Sequence, residues 1–468
     1  MLPLIIFALT LFGILVRPFG FRIWVYSSVG AVATFAFKLV DFSDLWFVFR
    51  LIWDSAFALI ALIVISYALQ GLGFFEWLIF WVLKICATKN AQSSVDSHAQ
   101  SHESMLDSQL DSHANLHTNT RKMFIALCVF CAFTSAVLAN DGAILIFTPL
   151  VLGLFLRARN ATPAQIIAFL FATAFMCDIS SNALIISNLT NIITANFFHI
   201  GFSDFARAML LPNVFATLCA IALFLVVFRT PLSAQITFRT PLKPKLSNKL
   251  FTLHCACLCV FVASFFASTH FGVPLSVNCG IYAGILLLVL WHKSHSKAKS
   301  TLKNAPFGII VFVFGLFVVV FALTKTAILP LFVAFLNAIS HDTFSTIFGT
   351  GLANALGASI FNNLPMVLFG NLAINEVFNT LAQNLGAQNI SANLKDSFIY
   401  AHLLGCNIGS KLTPIGSLCT LLWLSLIAKN STLSQSGIDF GFVRYCKYAL
   451  IFTPFVLLCA CAGLWIAH

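Results

Sequence analysis

The sequence predicts an all-α polytopic membrane protein built from two inverted-topology repeats, and three observations predict it. First, 60% of the 468 residues are hydrophobic, 9% are charged and mean hydropathy is +0.95, which leaves too little polar surface for a soluble protein. Second, apolar runs of roughly 15–24 residues recur along the chain, the length that a helix needs to cross a bilayer. Third, polar interruptions recur in both halves of the chain.

The apolar runs predict the membrane-spanning helices. We expect spans near 2–16, 23–40, 46–69 and 207–228 in the first half and near 251–269, 274–291 and 307–324 in the second. The first run resembles the core of a signal peptide, but no basic region precedes it and no small-residue cleavage site follows. It is interpreted as a retained membrane helix. An interfacial segment is expected at Phe74-Phe-Glu-Trp77.

Basic residues lie in the loops between spans, so the net charge of +11 indicates orientation in the membrane and not binding to nucleic acid. Arg229 to Lys249 forms one basic linker, and Lys293 to Lys303 forms a basic loop two spans later. Both are predicted to be cytoplasmic. The loops placed opposite, including Asn371 to Asp396, are poor in lysine and arginine. Both termini should then lie outside.

Two hairpins are predicted from a repeated motif. The segment that begins Asn140-Asp141-Gly142 resembles the one that begins Asn362-Asn363-Leu364, and each puts a polar pair into an apolar run. We expect re-entrant hairpins at about 123–156 and 343–372. Each hairpin should enter and leave the membrane on one face.

Two broken helices are predicted downstream of the hairpins, at about 163–198 and 394–429. Each stretch is too long for one straight span and is interrupted by polar residues, which membranes tolerate only in protein or along a watery cavity. Each half then has about five transmembrane helices, one of them discontinuous, so the second half is inserted upside down. The units are a first repeat at 1–228 with a polar cytoplasmic insertion at 89–121, a linker at 229–250 and a second repeat at 251–468.

Long motifs in both halves closely resemble the arsenite/antimonite efflux permeases of the ArsB family. They begin at Ala139, Ile185, Phe361 and Lys411, and Gly73-Phe-Phe-Glu-Trp77 matches as well. The resemblance covers nearly the whole chain. It implies the fold of the ion transporter superfamily and efflux of arsenite and antimonite across a bacterial inner membrane, conferring arsenical resistance with no cofactor.

The polar side chains at the hairpins and breaks are the predicted substrate site. Arsenite at neutral pH is mainly an uncharged trihydroxide whose hydroxyls donate and accept hydrogen bonds, so it needs amides, hydroxyls and helix ends. The candidates are Asn140, Asp141, Ser187, Asn188, Asn191, Asn362, Asn363, Thr413, Ser417 and Thr420. Thiolates would hold trivalent arsenic too tightly for turnover, so the cysteines are excluded from the predicted site.

Uphill movement of a neutral substrate must be coupled to a charged species, and protons are the simplest choice. Intramembrane carboxylates commonly carry protons in transporters. Asp141 and Asp178 are the predicted carriers, with Lys411 as an alternating counter-charge. The sequence departs from the family at Asn407, where an aspartate is common, and at Ser410, where a proline is common.

The polar insertion contains a near-duplicate in which histidines stand at i and i+4. His98 with His102, and His113 with His117, could present two rings to one metal ion. The competing interpretation is an unfolded polar loop, because the segment has almost no large apolar residues to bury.

Two other functions were weighed against efflux. A dicarboxylate or other anion carrier is disfavoured by Asp141, which would repel an anionic substrate. An intramembrane hydrolase would need an acid dyad or a His-Glu-x-x-His motif, and the sequence lacks that motif. Arg50 and Asp54 are interpreted as a structural ion pair within the third span. The sequence leaves open whether the protein works alone, with a soluble arsenite-stimulated ATPase, or as a homodimer.

Overall fold

The computed structural model describes residues 1–87, 115–239, 246–268, 271–385, 391–428 and 440–467. The helices of the first half are α1 Leu2–Val16, α2 Ile23–Ala36, α3 Phe42–Leu72, α4 Phe74–Cys86, α5 Thr120–Leu138, α6 Asn140–Phe155, α7 Pro163–Ile179, α8 Leu189–Phe198, α9 Phe202–Val227 and α10 Arg229–Ser233. Those of the second half are α11 Asn248–Ser268, α12 Leu275–Lys293, α13 His295–Asn304, α14 Gly308–Thr324, α15 Ile328–Ala338, α16 Thr343–Phe361, α17 Asn363–Leu385, α18 Ala392–Leu404, α19 Leu418–Ala428 and α20 Phe442–Ala467. Strands β1 Asn115–Thr118 and β2 Ile236–Arg239 complete the described elements.

The protein is a polytopic helical membrane protein. Within the described ranges, eight helical stretches are long and apolar enough to cross a bilayer, and six shorter apolar helices accompany them. The first predicted span, 2–16, coincides with α1, and the span predicted at 307–324 differs from α14 by one residue at its start. Long apolar runs are thus sufficient to locate these two helices.

Helix ends follow local capping chemistry. Asp41 begins α3 with a capping box, in which its carboxylate accepts from the Asp44 amide at 2.9 Å and Asp44 accepts from the Asp41 amide at 2.8 Å. Hydrogen bonds from the Ser43 hydroxyl and the Asp44 amide lower the pKa of Asp41. Asp44 also pairs with Lys325 at 2.5 Å, which joins the start of α3 to the end of α14.

The predicted outer loop from Asn371 is wrong in its first part. Helix α17 continues to Leu385, and Asn371 lies inside it, fully buried. The Asn371 amide and the Thr194 hydroxyl exchange hydrogen bonds of 3.1–3.2 Å, which tie α17 to α8. The polar side chains of α17 suggested a loop because the sequence does not show that they bond residues far away in the same chain.

A short β-ribbon joins the polar insertion to the basic linker. Strands β1 and β2 pair antiparallel, with Leu116 opposite Phe238 and both side chains buried. His117 accepts or donates a hydrogen bond with the Thr237 hydroxyl at 3.1 Å. The other three histidines of the predicted metal site, His98, His102 and His113, lie outside the described residues.

The two hairpins turn at residues with unusual backbone geometry. Helices α5 and α6 meet at Ala139, which has φ 65° and ψ 145°, and helices α16 and α17 meet at Asn362, which has φ 80° and ψ 150°. Such conformations are sparsely populated for residues with a Cβ. Each turn brings the N-terminus of a new helix, at Asn140 and Asn363, into the centre of the bundle.

The helices downstream are interrupted within the bundle. Helix α7 ends at Ile179 and α8 begins at Leu189, with a 3₁₀ turn at Ile185–Ser187 between them. Helix α18 ends at Leu404 and α19 begins at Leu418, with a π-helical turn and two 3₁₀ turns between them. We call 180–188 the first break and 405–417 the second break. Their backbone groups are available to hydrogen-bond other elements.

Candidate functional site

Both hairpin turns and both breaks meet at one small cavity. Its polar lining consists of Asn140, Asp141, Asn188, Asn363, Ser417 and Cys419. Its apolar lining comes from the same elements and from α3 and α14, and consists of Leu59, Leu189, Ile309, Val313 and Leu364. The volume is about 20 Å³, enough for one water-sized particle. A larger solute requires the surrounding elements to separate.

Two side chains that were predicted to bind substrate instead stabilise the first break and its contact with the first hairpin. The Ser187 hydroxyl donates to the Ala136 carbonyl at 2.6 Å and accepts from the Leu184 amide at 3.1 Å. Asn191 donates to the carbonyls of Ser181 and Leu184 at 2.8 and 3.0 Å. Ser187 and Asn191 therefore stabilise the break and do not line the cavity.

The second break is tied to the second hairpin in a similar way. Asn362 donates to the Ile415 carbonyl at 2.9 Å, and the Thr413 hydroxyl donates to the Ser359 carbonyl at 2.6 Å. Thr413 also accepts from the Gly416 amide at 3.2 Å. The bond from Asn362 satisfies a backbone carbonyl of the second break, where the helix is interrupted. Asn362 and Thr413 thus act as connectors in this structure.

The breaks also contact each other through a buried ion pair. Lys411 in the second break pairs with Asp178 at the end of α7, and the two residues are 1% and 2% exposed. Lys411 donates a further bond to the Thr420 hydroxyl at 2.6 Å. Asp178 accepts from the Asn140 side chain at 2.6 Å, which connects the ion pair to the cavity.

An uncharged hydrogen-bond network lies at the residues that correspond, in the other half of the sequence, to this ion pair. Cys177-Asp178-Ile179 aligns with Cys406-Asn407-Ile408, and Asn182 follows Asp178 by four positions as Lys411 follows Asn407. Asn407 donates to the Asn182 and Asn191 side-chain oxygens at 2.8 and 2.9 Å. Its own oxygen accepts from the Thr190 hydroxyl at 2.6 Å. The departure from aspartate at Asn407 therefore leaves one charged and one uncharged junction between the breaks.

The backbone shifts the correspondence of the two hairpin motifs by one residue. Ala139 and Asn362 share the positive-φ turn conformation, so Asn140 corresponds to Asn363 and Asp141 corresponds to Leu364. The sequence comparison had aligned Asn140 with Asn362 and Asp141 with Asn363. It went wrong because side-chain polarity does not reveal which residue makes the turn.

The interpretation of Arg50 and Asp54 as an ion pair is also wrong. Arg50 stacks its guanidinium over the Trp46 ring, 5.1 Å from the centroid. Asp54 instead accepts from the Ser276 amide at 2.9 Å and from the Asn196 side chain at 3.2 Å. Its carboxylate therefore links α3 to α12 and α8.

Cys419 is the residue of the polar cavity lining that was not predicted from the sequence. It is 1% exposed and lines the same small cavity as Asp141. The available signal was its position in the motif between Ser417 and Thr420. In the part of the chain that the structure describes, histidine, cysteine and carboxylate side chains form no group suited to a metal ion. The cavity thus offers hydrogen-bonding groups, one carboxylate and one thiol.

The comparisons with known proteins agree over almost the full length. The arsenical pump membrane protein family, ArsB, matches residues 2–95 and 110–468. An arsenical pump membrane protein of Escherichia coli is 29% identical over 463 residues, covering 98% of this chain and 97% of that protein. The counterpart from Yersinia enterocolitica is 30% identical with the same coverage. A putative arsenical pump membrane protein of Bacillus subtilis is 22% identical over 98% of both chains.

Proposed function

We infer the function from the premise that this chain belongs to the arsenical pump membrane protein family, as a multi-pass protein of the bacterial inner membrane. We propose that it exports arsenite and antimonite as neutral trihydroxides, by alternating access coupled to proton entry. The observation that carries the proposal is the cavity at which both hairpin turns and both breaks converge. Transporters with discontinuous helices bind their substrates at such convergence points.

The chemistry of the cavity supports a neutral, hydroxyl-rich substrate. Asn140, Asn188, Asn363 and Ser417 supply amide and hydroxyl groups, which are the hydrogen-bonding partners that the three hydroxyls of a metalloid need. Helices α6 and α17 begin at the cavity, so their N-terminal amides add oriented donors. The buried ammonium of Lys411 is neutralised by Asp178.

That charge arrangement argues against the anion carrier considered from the sequence. Asp141 lines the cavity and would repel a dicarboxylate, and Lys411 is already occupied by Asp178. A hydrolase is not supported either, because Asp141 faces amides, Ser417 and Cys419 in the cavity rather than a second carboxylate. A neutral solute is the substrate class that these side chains fit best.

The proposed coupling uses the two carboxylates near the cavity. Asp141 lines it directly, and Asp178 reaches it through Asn140. When the two halves move apart, separation of Lys411 from Asp178 changes the electrostatic environment of both carboxylates, and this change can couple proton uptake to substrate release. The uncharged junction at Asn407 cannot titrate, so the coupling is assigned to the Asp178 side alone.

The experiment that tests this function is arsenite uptake into everted membrane vesicles with an imposed pH gradient and no ATP. Accumulation in vesicles that contain the chain, abolished by a protonophore, is the expected result. Uptake that requires ATP and a soluble ATPase would contradict proton coupling while preserving the substrate. Transport of a dicarboxylate in place of arsenite would contradict the substrate assignment.

A further inference from the structure

The thiol of Cys419 occupies a position in the cavity that hydrogen bonding to a trihydroxide does not explain. It is 1% exposed and lines the cavity together with Ser417 and Asp141. The position that corresponds to it in the first half is Thr190, whose hydroxyl is engaged by Asn407 and does not line the cavity. Cys419 is therefore a feature of the second half only.

An independent feature points to a ligand at the same place. Asn140 is 3% exposed and lines the cavity. Its amide nitrogen is committed to Asp178 at 2.6 Å, but its side-chain oxygen has no hydrogen-bond partner among the described residues. A buried amide oxygen without a donor is costly, so a ligand hydroxyl that donates to it would be stabilised there.

We propose that Cys419 forms a single, reversible sulfur–arsenic bond with the transported metalloid, with Asn140 accepting a hydrogen bond from one remaining hydroxyl. The proposal rests on the proposed function and names the contact that selects the substrate. It changes the expectation that cysteines have no place in the site. The cavity presents one thiol, and a single sulfur–arsenic bond holds trivalent arsenic less tightly than chelation by several thiolates does.

The chemical step is a ligand exchange without change of oxidation state. The thiol proton passes to the Asp141 carboxylate as sulfur attacks arsenic, since the thiolate is the reactive form of cysteine. One arsenic–oxygen bond breaks, and the departing hydroxide takes that proton and leaves as water. The product is a thiol-bound arsenic with two hydroxyls, and attack by water reverses the reaction and frees the trihydroxide.

Such a bond would provide discrimination that amides cannot. Boric acid is also a small neutral trihydroxide, and hydrogen bonds alone distinguish it poorly from arsenite. Boron has little affinity for sulfur, whereas trivalent arsenic and antimony bind it strongly. A single thiol among amides therefore selects thiophilic metalloids and still permits release.

Arsenic K-edge absorption spectroscopy of the purified full chain, incubated with arsenite in buffer free of thiol reductants, tests the proposal. We expect one sulfur and two oxygen neighbours around arsenic in the wild type, and three oxygens in Cys419→Ser. Cys259→Ser is the matched control, because Cys259 lies exposed on α11, and it should keep the sulfur neighbour. In transport assays, Cys419→Thr should raise the KM for arsenite about tenfold, equivalent to about 1.4 kcal/mol, and should increase relative inhibition by boric acid.

The outcomes separate the two levels of inference. Bound arsenic with only oxygen neighbours in the wild type would overturn the sulfur bond and leave the proposed function standing. A sulfur neighbour that persists in Cys419→Ser, or three sulfurs in the wild type, would assign binding to other thiols and overturn the role of Cys419. A folded wild-type chain that retains no arsenic would overturn the proposed function together with this inference.

Discussion

Asp178 at the end of α7 forms a buried ion pair with Lys411 in the second break, while Asn407 in the second break makes uncharged bonds to Asn182 in the first break and to Asn191 in α8. The uncharged junction shows that amides can serve this contact. A charge at the other junction is therefore not required to hold the breaks together, and its presence favours a role in coupling.

The first prediction removes the charge and keeps the contact. The double variant Asp178→Asn/Lys411→Asn should fold and exchange arsenite for arsenite, but it should lose accumulation driven by a pH gradient. Lys411→Ala alone should be destabilised by about 3–5 kcal/mol, because it leaves the buried Asp178 carboxylate without a counter-charge. Thermal unfolding in detergent and vesicle transport measure both effects. Normal accumulation by the double variant would show that the pair is structural.

The second prediction concerns the cavity amides. Asn140→Ala, Asn188→Ala and Asn363→Ala should each weaken arsenite export, since an unmade hydrogen bond in a buried site costs about 1–3 kcal/mol. Asn278→Ala is the matched control, because Asn278 bonds Ser264 between α11 and α12 and lies away from the cavity. Initial rates of arsenite uptake into vesicles should fall in the three cavity variants and stay unchanged in Asn278→Ala. Equal losses in all four variants would indicate a general effect of removing amides.

The third prediction concerns the first hairpin turn. Ala139 holds a positive-φ conformation that costs about 1–3 kcal/mol for a residue with a Cβ, and glycine adopts it more easily. Ala139→Gly should therefore raise the unfolding temperature. Ala143→Gly, in the helical part of α6, should lower it, because glycine destabilises a helix interior by about 0.5–1 kcal/mol. Thermal unfolding should show opposite changes in the unfolding temperature of the two variants. A lower unfolding temperature for Ala139→Gly would contradict the prediction.

The fourth prediction concerns the polar insertion. The family match leaves out residues 96–109, so their deletion should leave arsenite export unchanged. Leu116→Asp should instead reduce export, because Leu116 is 1% exposed and packs opposite Phe238 in the ribbon. Cellular arsenic accumulation at matched expression measures both. Loss of export on deletion would revive a metal-sensing role for His98 and His102.

The fifth prediction concerns orientation. In a background whose reactive native thiols are replaced by serine, Lys299→Cys should be labelled from the cytoplasm and Ser43→Cys from the periplasm. Both positions are exposed, and Lys299 lies in the basic helix α13. A membrane-impermeant maleimide applied to intact cells and to everted vesicles distinguishes the two faces. Labelling of Lys299→Cys in intact cells would invert the proposed topology.

Some features could be predicted from the sequence because they depend on neighbouring residues. Long apolar runs located α1 and α14, and the start predicted near residue 163 coincides with the start of α7, where Thr162 and Gln165 form a capping box. Contacts between distant segments could not be predicted. The bond from Thr190 to Asn407 and the meeting of Cys419 and Asp141 at one cavity depend on how the two halves pack, and no local pattern encodes them. Helix α15 was not predicted because its apolar run of 11 residues is shorter than the length that a membrane span needs.

The net charge of the side chains around the cavity determines how transport responds to the membrane potential. With Asp141 ionised, Asp141, Asp178 and Lys411 together carry one net negative charge. A neutral trihydroxide leaves that charge in place, whereas one bound proton cancels it. Under the proposed cycle, the step that carries the metalloid outward moves a negative charge, and the return with a proton moves none. A negative cell interior then drives the export step by about 2.3 kcal/mol per 100 mV, and turnover generates an inward current.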